Sequence, residues 1–111
     1  MSGDNLASGL DLMRRGEYFE AHEELEIAWR AAPHEERDFL QGLVHVTVAW
    51  YQAGRGRPIA CARQLAKART RLAAYPPEHR GVDVASVLEQ IANAERLVTA
   101  GSLELPPLDL P

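Results

Sequence analysis

A histidine and a carboxylate stand one helical turn apart in the segment GEYFEAHEELEIAW, residues 16–29. If this segment is helical, positions 19, 22, 26 and 29 share one face, so His22 and Glu26 lie between Phe19 and Trp29. The Cβ atoms of such i, i+4 neighbours are about 5–6 Å apart. At that distance the carboxylate can orient the imidazole and raise its basicity, as in a general acid–base pair.

The same side chains also offer nitrogen and oxygen ligands to a divalent metal ion, with Glu23 as a further carboxylate. The string His-Glu-x-x-Glu differs from the zinc-binding string His-Glu-x-x-His because Glu26 replaces the second histidine. A His/Glu pair at this spacing is common in ordinary helices. The motif alone therefore does not separate a metal site from a structural pair.

The next long segment carries polar residues on a single stripe. Gln41, His45 and Gln52 recur at helical spacing in a segment that is otherwise apolar. Burying an imidazole or an amide without a partner costs about 1–3 kcal/mol, so these groups need partners. We therefore expect a polar cluster between the second and third helices. Its candidate ligand-binding residues are His22, Glu23, Glu26, Trp29, Gln41, His45 and Tyr51, and its candidate metal ligands are His22, Glu26 and His45.

Three interpretations of this cluster are open. It can be a satisfied polar network in the core, which is the commoner role of buried histidines. It can bind a divalent metal, the one cofactor that the sequence suggests. It can also be a metal-free site for a small molecule or for acid–base chemistry. The residues themselves assign no reaction and leave open whether the protein is an enzyme.

Proline and glycine residues divide the chain into five helical segments that must position these side chains. No segment alternates with the period of a strand, and no hairpin is predicted. Asp83 is the expected N-cap of the last helix. We predict an all-α fold, a compact single-domain bundle of about five helices. The helices are expected at about residues 5–15, 17–31, 35–53, 58–75 and 84–100.

Two further segments, residues 9–33 and residues 102–111, carry weaker indications of their structure. Residues 9–33 fit the register of one tetratricopeptide helix pair, but later helices do not repeat it, so we expect a single such hairpin. Residues 102–111, SLELPPLDLP, contain too much proline for a helix. Their leucines predict an extended tail on the bundle, with a frayed terminus as the alternative. The expected organisation is one domain over residues 1–101 and a tail over residues 102–111.

Composition limits the classes of partner. The 111-residue chain has a net charge of −4, so no nucleic-acid partner is expected. Its longest stretch without charged residues, Phe39 to Gly54, is too short and too polar for a membrane span.

A lone cysteine, Cys61, suits a reducing compartment, and we expect a cytoplasmic protein with an inert buried thiol. His34 and His79, near helix boundaries, are expected to be solvated.

Charge is divided unevenly along the chain. Residues 4–38 hold ten acids and four bases, whereas residues 55–80 hold seven bases and one acid. The basic segment can be an anion site around Arg55, Arg57, Arg63 and Lys67, or a face that complements the acidic helices within the bundle or between subunits. The second possibility makes a protein–protein interaction module, or a homo-oligomer with a purely structural polar core, the alternative function.

The motifs above also resemble a known family. The string of Tyr18, Phe19, His22, Glu23, Glu26 and Trp29, and the step Leu40-Gln41-Gly42 before a long apolar helix, are similar to the bacterial and archaeal family known as domain of unknown function 309. The resemblance covers about residues 5–100. It implies a small all-α bundle in a prokaryotic cytoplasm, and it implies no particular activity.

Overall fold

The computed structural model describes residues 2–111, with side chains from residue 5 onward, and confirms the all-α bundle. The predicted helices are all present, with boundaries that differ by a few residues. Within the described residues the elements are α1 (Ser2–Arg14), α2 (Tyr18–Ala31), α3 (His34–Gly54), α4 (Pro58–Leu72), β1 (Glu78–His79), β2 (Val82–Asp83) and α5 (Val84–Thr99).

Each helix packs chiefly on its neighbours in sequence, so α3 lies between α2 and α4. Gly42 allows a close approach of α3 and α4. A Cβ atom at this position would lie only 2.7 Å from Cγ and Cδ2 of the buried Leu72. The core beneath consists of apolar side chains that each contribute about 1.5–3 kcal/mol when fully buried. Its largest fully buried members include Met13, Leu25, Phe39, Leu43, Leu65, Leu72 and Ile91.

The connection between α4 and α5 departs from the prediction. α4 ends at Leu72, three residues early, and β1 and β2 then form a two-stranded antiparallel hairpin in which His79 pairs with Val82. The hairpin was not predicted, because its turn places Arg80 and Gly81 at φ of 51° and 77°, and arginine is an uncommon residue at positive φ. Asp83 is the N-cap of α5, as predicted, since its Oδ1 accepts a hydrogen bond from the Ser86 N–H at 2.9 Å.

His79 was expected in solvent, and this expectation is wrong. Its side chain is only 22% exposed, and Nε2 lies 2.9 Å from Oε1 of Glu36 in the first turn of α3. The imidazole is buried because it contacts the Glu36 carboxylate and the rings of Phe39 and Tyr75. His34 is exposed, as expected.

The C-terminal segment lies extended on the bundle, as its leucines predict. Leu108 and Leu110 are 4% and 7% exposed. The indole N–H of Trp50 donates to the Pro106 carbonyl at 2.8 Å, and the Leu108 N–H donates to the Tyr18 hydroxyl at 3.2 Å. The tail is therefore held by both apolar burial and hydrogen bonds.

None of the helices in the described part of the chain is both long enough and apolar enough to cross a membrane.

The basic segment, residues 55–80, is partly neutralised within the fold. Arg71 pairs with Asp38, Arg69 with Glu95, and Arg80 with Glu36.

Candidate functional site

We refer to the strip of α3 that lies between α2 and α4, together with the faces of those two helices beside it, as the groove. Its floor is one face of α3, where the residues recur every three or four positions and all are half buried. The floor touches α2 on one side, where the guanidinium carbon of Arg37 lies 4.7 Å from the Trp29 ring centroid. It touches α4 on the other side, where Nδ1 of His45 lies 2.7 Å from Oε1 of Gln64. The floor residues are Arg37, Gln41, His45, Val48 and Gln52.

The α2 wall of the groove is the stripe that the sequence predicted, with residues 19, 22, 26 and 29 on one face. At one end the Phe19 ring lies 5.4 Å from the ring of Tyr51 on α3, and 45% of Phe19 is exposed. Tyr51 also receives a hydrogen bond from Arg55 at 2.9 Å and stacks beneath its guanidinium group. At the other end Trp29 meets Arg37. The wall therefore contacts α3 at both ends.

His22 is fixed in one orientation on this wall. Nδ1 lies 2.6 Å from the Phe19 carbonyl oxygen, which can only accept, so Nδ1 carries a proton and donates it. Nε2, the other ring nitrogen, lies 3.8 Å from Oε1 of Glu26, whose second oxygen is 3.5 Å from Arg30. The pairing predicted from the i, i+4 spacing is therefore present. Nε2 is the ring nitrogen left to meet a ligand.

His45 has its hydrogen-bond partner on α4, at Gln64, and not at His22 or Glu26, where the sequence led us to expect it. On a helix with 100° per residue, position 45 lies at the α4 side of the floor, whereas positions 44 and 48 lie nearer α2. Burial lowers the pKa of His45 below 6.5, the charges of Arg71 and Lys67 lower it further, and the hydrogen bond with Gln64 only partly opposes them. His45 is thus a neutral imidazole near pH 7.

The predicted metal ligands are consequently not brought together. His22 and Glu26 stand on the α2 wall, and His45 is bonded to a residue of α4. Glu23 is exposed on the outer side of α2. Among the residues that the structure describes, no group of three or more His, Cys, Asp or Glu side chains is close enough to hold a metal ion.

The groove contains buried polar atoms that have no hydrogen-bond partner. Over the described side chains these atoms are Nε1 of Trp29, Nε of Arg37 and Oε1 of Gln52, and all three residues line the groove. Leaving a buried polar group unpaired costs about 1–3 kcal/mol, so native proteins seldom do so without a reason. Two of the three atoms are donors whose side chains touch each other.

A known family model covers most of the residues that line the groove. Residues 6–64, more than half of the chain, match the family model described as Domain of unknown function (DUF309). The chain belongs to this family. No curated protein and no solved structure matches it. The part that matches the DUF309 model includes the whole α2 wall, the whole floor, and Gln64 on the α4 wall.

Basic side chains border one end of the groove in this DUF309 protein. Lys67 and Arg71 border a shallow cleft of about 400 Å³ on the α4 side, together with Asp38, the ion-pair partner of Arg71. Arg37 stands at the same end of the floor, since it is one position before Asp38 on α3. This end is thus rich in donors, whereas the opposite end, at Phe19 and Tyr51, is aromatic.

Sequence reasoning found the α2 wall and part of the floor but missed Arg37 and Gln64. Arg37 precedes Gln41 by four positions, so extending the stripe of Gln41 and His45 back by one turn would have found it. No comparable signal marks Gln64, because only the packing of α4 on α3 brings it to His45.

Proposed function

We propose that this protein binds a small molecule that carries an oxyanion, a carboxylate or a phosphate, at the Arg37 end of the groove. The oxyanion accepts hydrogen bonds from Nε1 of Trp29 and Nε of Arg37. The observation that carries the proposal is the pair of buried, unpartnered donors on two side chains in contact, 4.7 Å from guanidinium carbon to ring centroid.

The chemistry of the donors favours an anion over a neutral ligand. An arginine N–H makes charge-assisted bonds with carboxylate or phosphate oxygens that are about twice as strong as neutral ones. Lys67, at the same end, makes no ion pair with a described residue and adds long-range attraction. Both donor atoms lie below the surface, so an acceptor reaches them only when a side chain moves aside. Arg37 is the longer and more flexible of the two side chains.

The remaining groove residues set the length of a ligand. Arg37 and Gln52 are 15 positions apart on α3, which corresponds to about 22 Å at 1.5 Å per residue. A small molecule anchored at Arg37 therefore reaches Gln41, His45 and the Nε2 of His22, beside Glu26, before it reaches Gln52. A neutral His45 and an amide at Gln41 offer both donors and acceptors to its uncharged part.

The setting that we propose is the one expected from the sequence: a prokaryotic, cytoplasmic protein with one domain over residues 1–101 and a docked tail over 102–111. Support comes from Cys61, a buried free cysteine. Burial raises the pKa of its thiol, which suits an unreactive side chain in a reducing compartment. We expect no nucleic-acid partner, given the net charge of −4.

The two tryptophans make the proposal testable by ¹⁵N NMR, with acetate, succinate and inorganic phosphate as probes and chloride at matched ionic strength as the blank. We expect the indole N–H signal of Trp29 to move and saturate with at least one probe. The signal of Trp50 should stay in place, because its N–H is already bonded to Pro106. Comparison of the carboxylates with phosphate distinguishes the two oxyanions.

Variants complete this test. Arg37→Gln should weaken the response of Trp29 by about tenfold or more, the loss expected for one charge-assisted hydrogen bond. Arg96→Gln removes an exposed arginine on α5, away from the groove, and should leave the response unchanged. The proposal fails if no probe moves the Trp29 signal, or if Arg37→Gln responds as the unmodified protein does.

A further inference from the structure

One exposed ridge on α2 is acidic and carries an isoleucine. Glu20, Glu23 and Ile27 recur at i, i+3 and i+7, so they share a face that points away from the groove. Ile27 is 42% exposed, so its aliphatic side chain is available to a partner. Neither Glu20 nor Glu23 forms an ion pair with a residue that the structure describes. We refer to Glu20, Glu23 and Ile27 as the acidic ridge.

A second exposed ridge, at the start of α4, has the opposite charge and also carries an isoleucine. Ile59, Arg63 and Lys67 recur at i, i+4 and i+8, and Arg57 precedes them in the loop before α4. Ile59 is 69% exposed, the highest value among the large hydrophobic residues of the described chain. None of these three bases pairs with an acid among residues 5–111. We refer to Arg57, Ile59, Arg63 and Lys67 as the basic ridge.

The charges of the basic ridge differ from those of three other bases in this part of the chain. Arg69, Arg71 and Arg80 are neutralised by acids within the fold, whereas the ridge bases are not. The surplus positive charge is therefore concentrated beside the exposed Ile59. The surplus negative charge on α2 likewise lies beside the exposed Ile27. The two ridges complement each other in both charge and apolar character.

We propose that the acidic ridge of one copy binds the basic ridge of a second copy. The acidic ridge is on α2 and the basic ridge on α4, and α3 separates these helices, so one molecule cannot join its own two ridges. Contact between copies sets the two carboxylates of the acidic ridge against bases of the basic ridge, and it removes both isoleucines from water. Two different surfaces meet, so the contact is head-to-tail and builds chains or rings instead of a closed two-fold dimer.

Such a contact is small, because each ridge spans about two helical turns. It therefore belongs to the class of weak, transient interfaces. Exposed charges are screened over about 10 Å at 0.1 M salt and about 3 Å at 1 M salt, so the association weakens as salt rises. It does not involve the Trp29 and Arg37 pair. Lys67 borders both surfaces, but the variants of the test leave Lys67 unchanged, so the result is independent of the proposed oxyanion site.

Sedimentation velocity on the full chain tests the proposal. We expect the average mass to rise with protein concentration at low salt and to fall back towards that of the monomer at high salt. Two variants each remove one ridge at exposed positions: Glu20→Gln with Glu23→Gln and Ile27→Ser, and Arg57→Gln with Arg63→Gln and Ile59→Ser. Each variant alone should stay monomeric, and circular dichroism melting should confirm that it is folded.

The decisive sample is an equal mixture of the two variants. Each partner keeps one intact ridge, so the mixture should form a 1:1 dimer that does not grow further. Arg96→Gln, a change at an exposed base on α5, should associate like the unmodified chain. A wild-type chain that is monomeric at every concentration and salt overturns the proposal, as does a variant that still associates alone or a mixture that stays monomeric.

Discussion

Glu36, in the first turn of α3, accepts a hydrogen bond from His79 in the hairpin, with Nε2 of the imidazole 2.9 Å from Oε1 and 3.2 Å from Oε2. Arg80 donates to the same Oε1 at 2.6 Å. The His79 ring also packs edge-on against Phe39, with centroids 4.7 Å apart. These contacts fix the α4–α5 connection to the start of α3, one residue before Arg37 at the donor-rich end of the groove.

The charge state of Glu36 should make this contact depend on pH. Burial raises the pKa of Glu36, but hydrogen bonds and charges from His79 and Arg80 outweigh it, so the net pKa is below 4.5. A carboxyl with a depressed folded-state pKa stabilises the fold above its unfolded pKa, and this contribution is lost as pH falls through the folded pKa. Urea unfolding should therefore show a stability gap between the unmodified chain and Glu36→Gln that shrinks below about pH 4.5.

Glu35→Gln is the matched control for this experiment, because Glu35 is exposed and lies one position away. It should change the free energy of unfolding by no more than about 0.5 kcal/mol at any pH. A gap for Glu36→Gln that stays constant down to pH 3 would contradict the assigned role of the carboxylate.

Gly42 and Gly54 should respond in opposite ways to alanine. A Cβ at Gly42 meets the buried Leu72 side chain at 2.7 Å, so Gly42→Ala should lower the free energy of unfolding by about 1–3 kcal/mol. A Cβ at Gly54, the last residue of α3, meets nothing within 4 Å, so Gly54→Ala should raise stability by up to about 1 kcal/mol. Thermal or urea unfolding measures both. Equal effects at the two positions would mean that α3 and α4 are not in close contact at Gly42.

The two tryptophans should differ in what their N–H groups contribute to stability. Trp50→Phe leaves the Pro106 carbonyl without its donor and should cost roughly 2–3 kcal/mol. Trp29→Phe removes a buried donor that has no partner, and the relief offsets the lost ring volume, so its cost should be about 1 kcal/mol or less. Urea unfolding compares the two variants, and a Trp29→Phe cost equal to that of Trp50→Phe would show that Nε1 of Trp29 has a partner in solution.

Leu108→Ala should loosen the tail. Leu108 is 4% exposed, and its truncation should lower the free energy of unfolding by roughly 2–3 kcal/mol, since a surface site collapses more easily than a deep cavity. Leu103→Ala, at a half-buried position of the same tail, should cost less. If both variants unfold at the same denaturant concentration as the unmodified chain, the tail does not contribute to stability in solution.

The helices were predictable because their ends are marked by residue type. Gly16, Pro33, Gly54 and Pro58 fall at or next to observed boundaries, and Asp83 caps α5 as its side-chain chemistry predicts. The hairpin was not predictable, since its turn puts an arginine where Asn or Gly is usual.

The candidate site was predictable on α2 and only partly on α3. The i, i+4 rule correctly places His22 beside Glu26, because both lie on one helix. Spacing does not say which of two flanking helices a floor residue meets, so His45 was assigned to α2 although it bonds to Gln64 on α4. The packing of α4 on α3 decides which helix His45 contacts, and this packing cannot be derived from the spacing within one helix. The family match does not help, because the family has no assigned activity.

The docked tail changes how the whole chain unfolds. Five helices that pack mainly on their sequence neighbours would, by themselves, behave as a linear array that can fray from either end. The tail crosses that array: Nε of Arg14 on α1 donates to the Leu110 carbonyl at 2.9 Å, and Gln90 on α5 exchanges two hydrogen bonds with the Asp109 backbone. The tail thereby connects α1 to α5. Unfolding of either helix must break contacts of the tail with the other, so the molecule should unfold in one cooperative step.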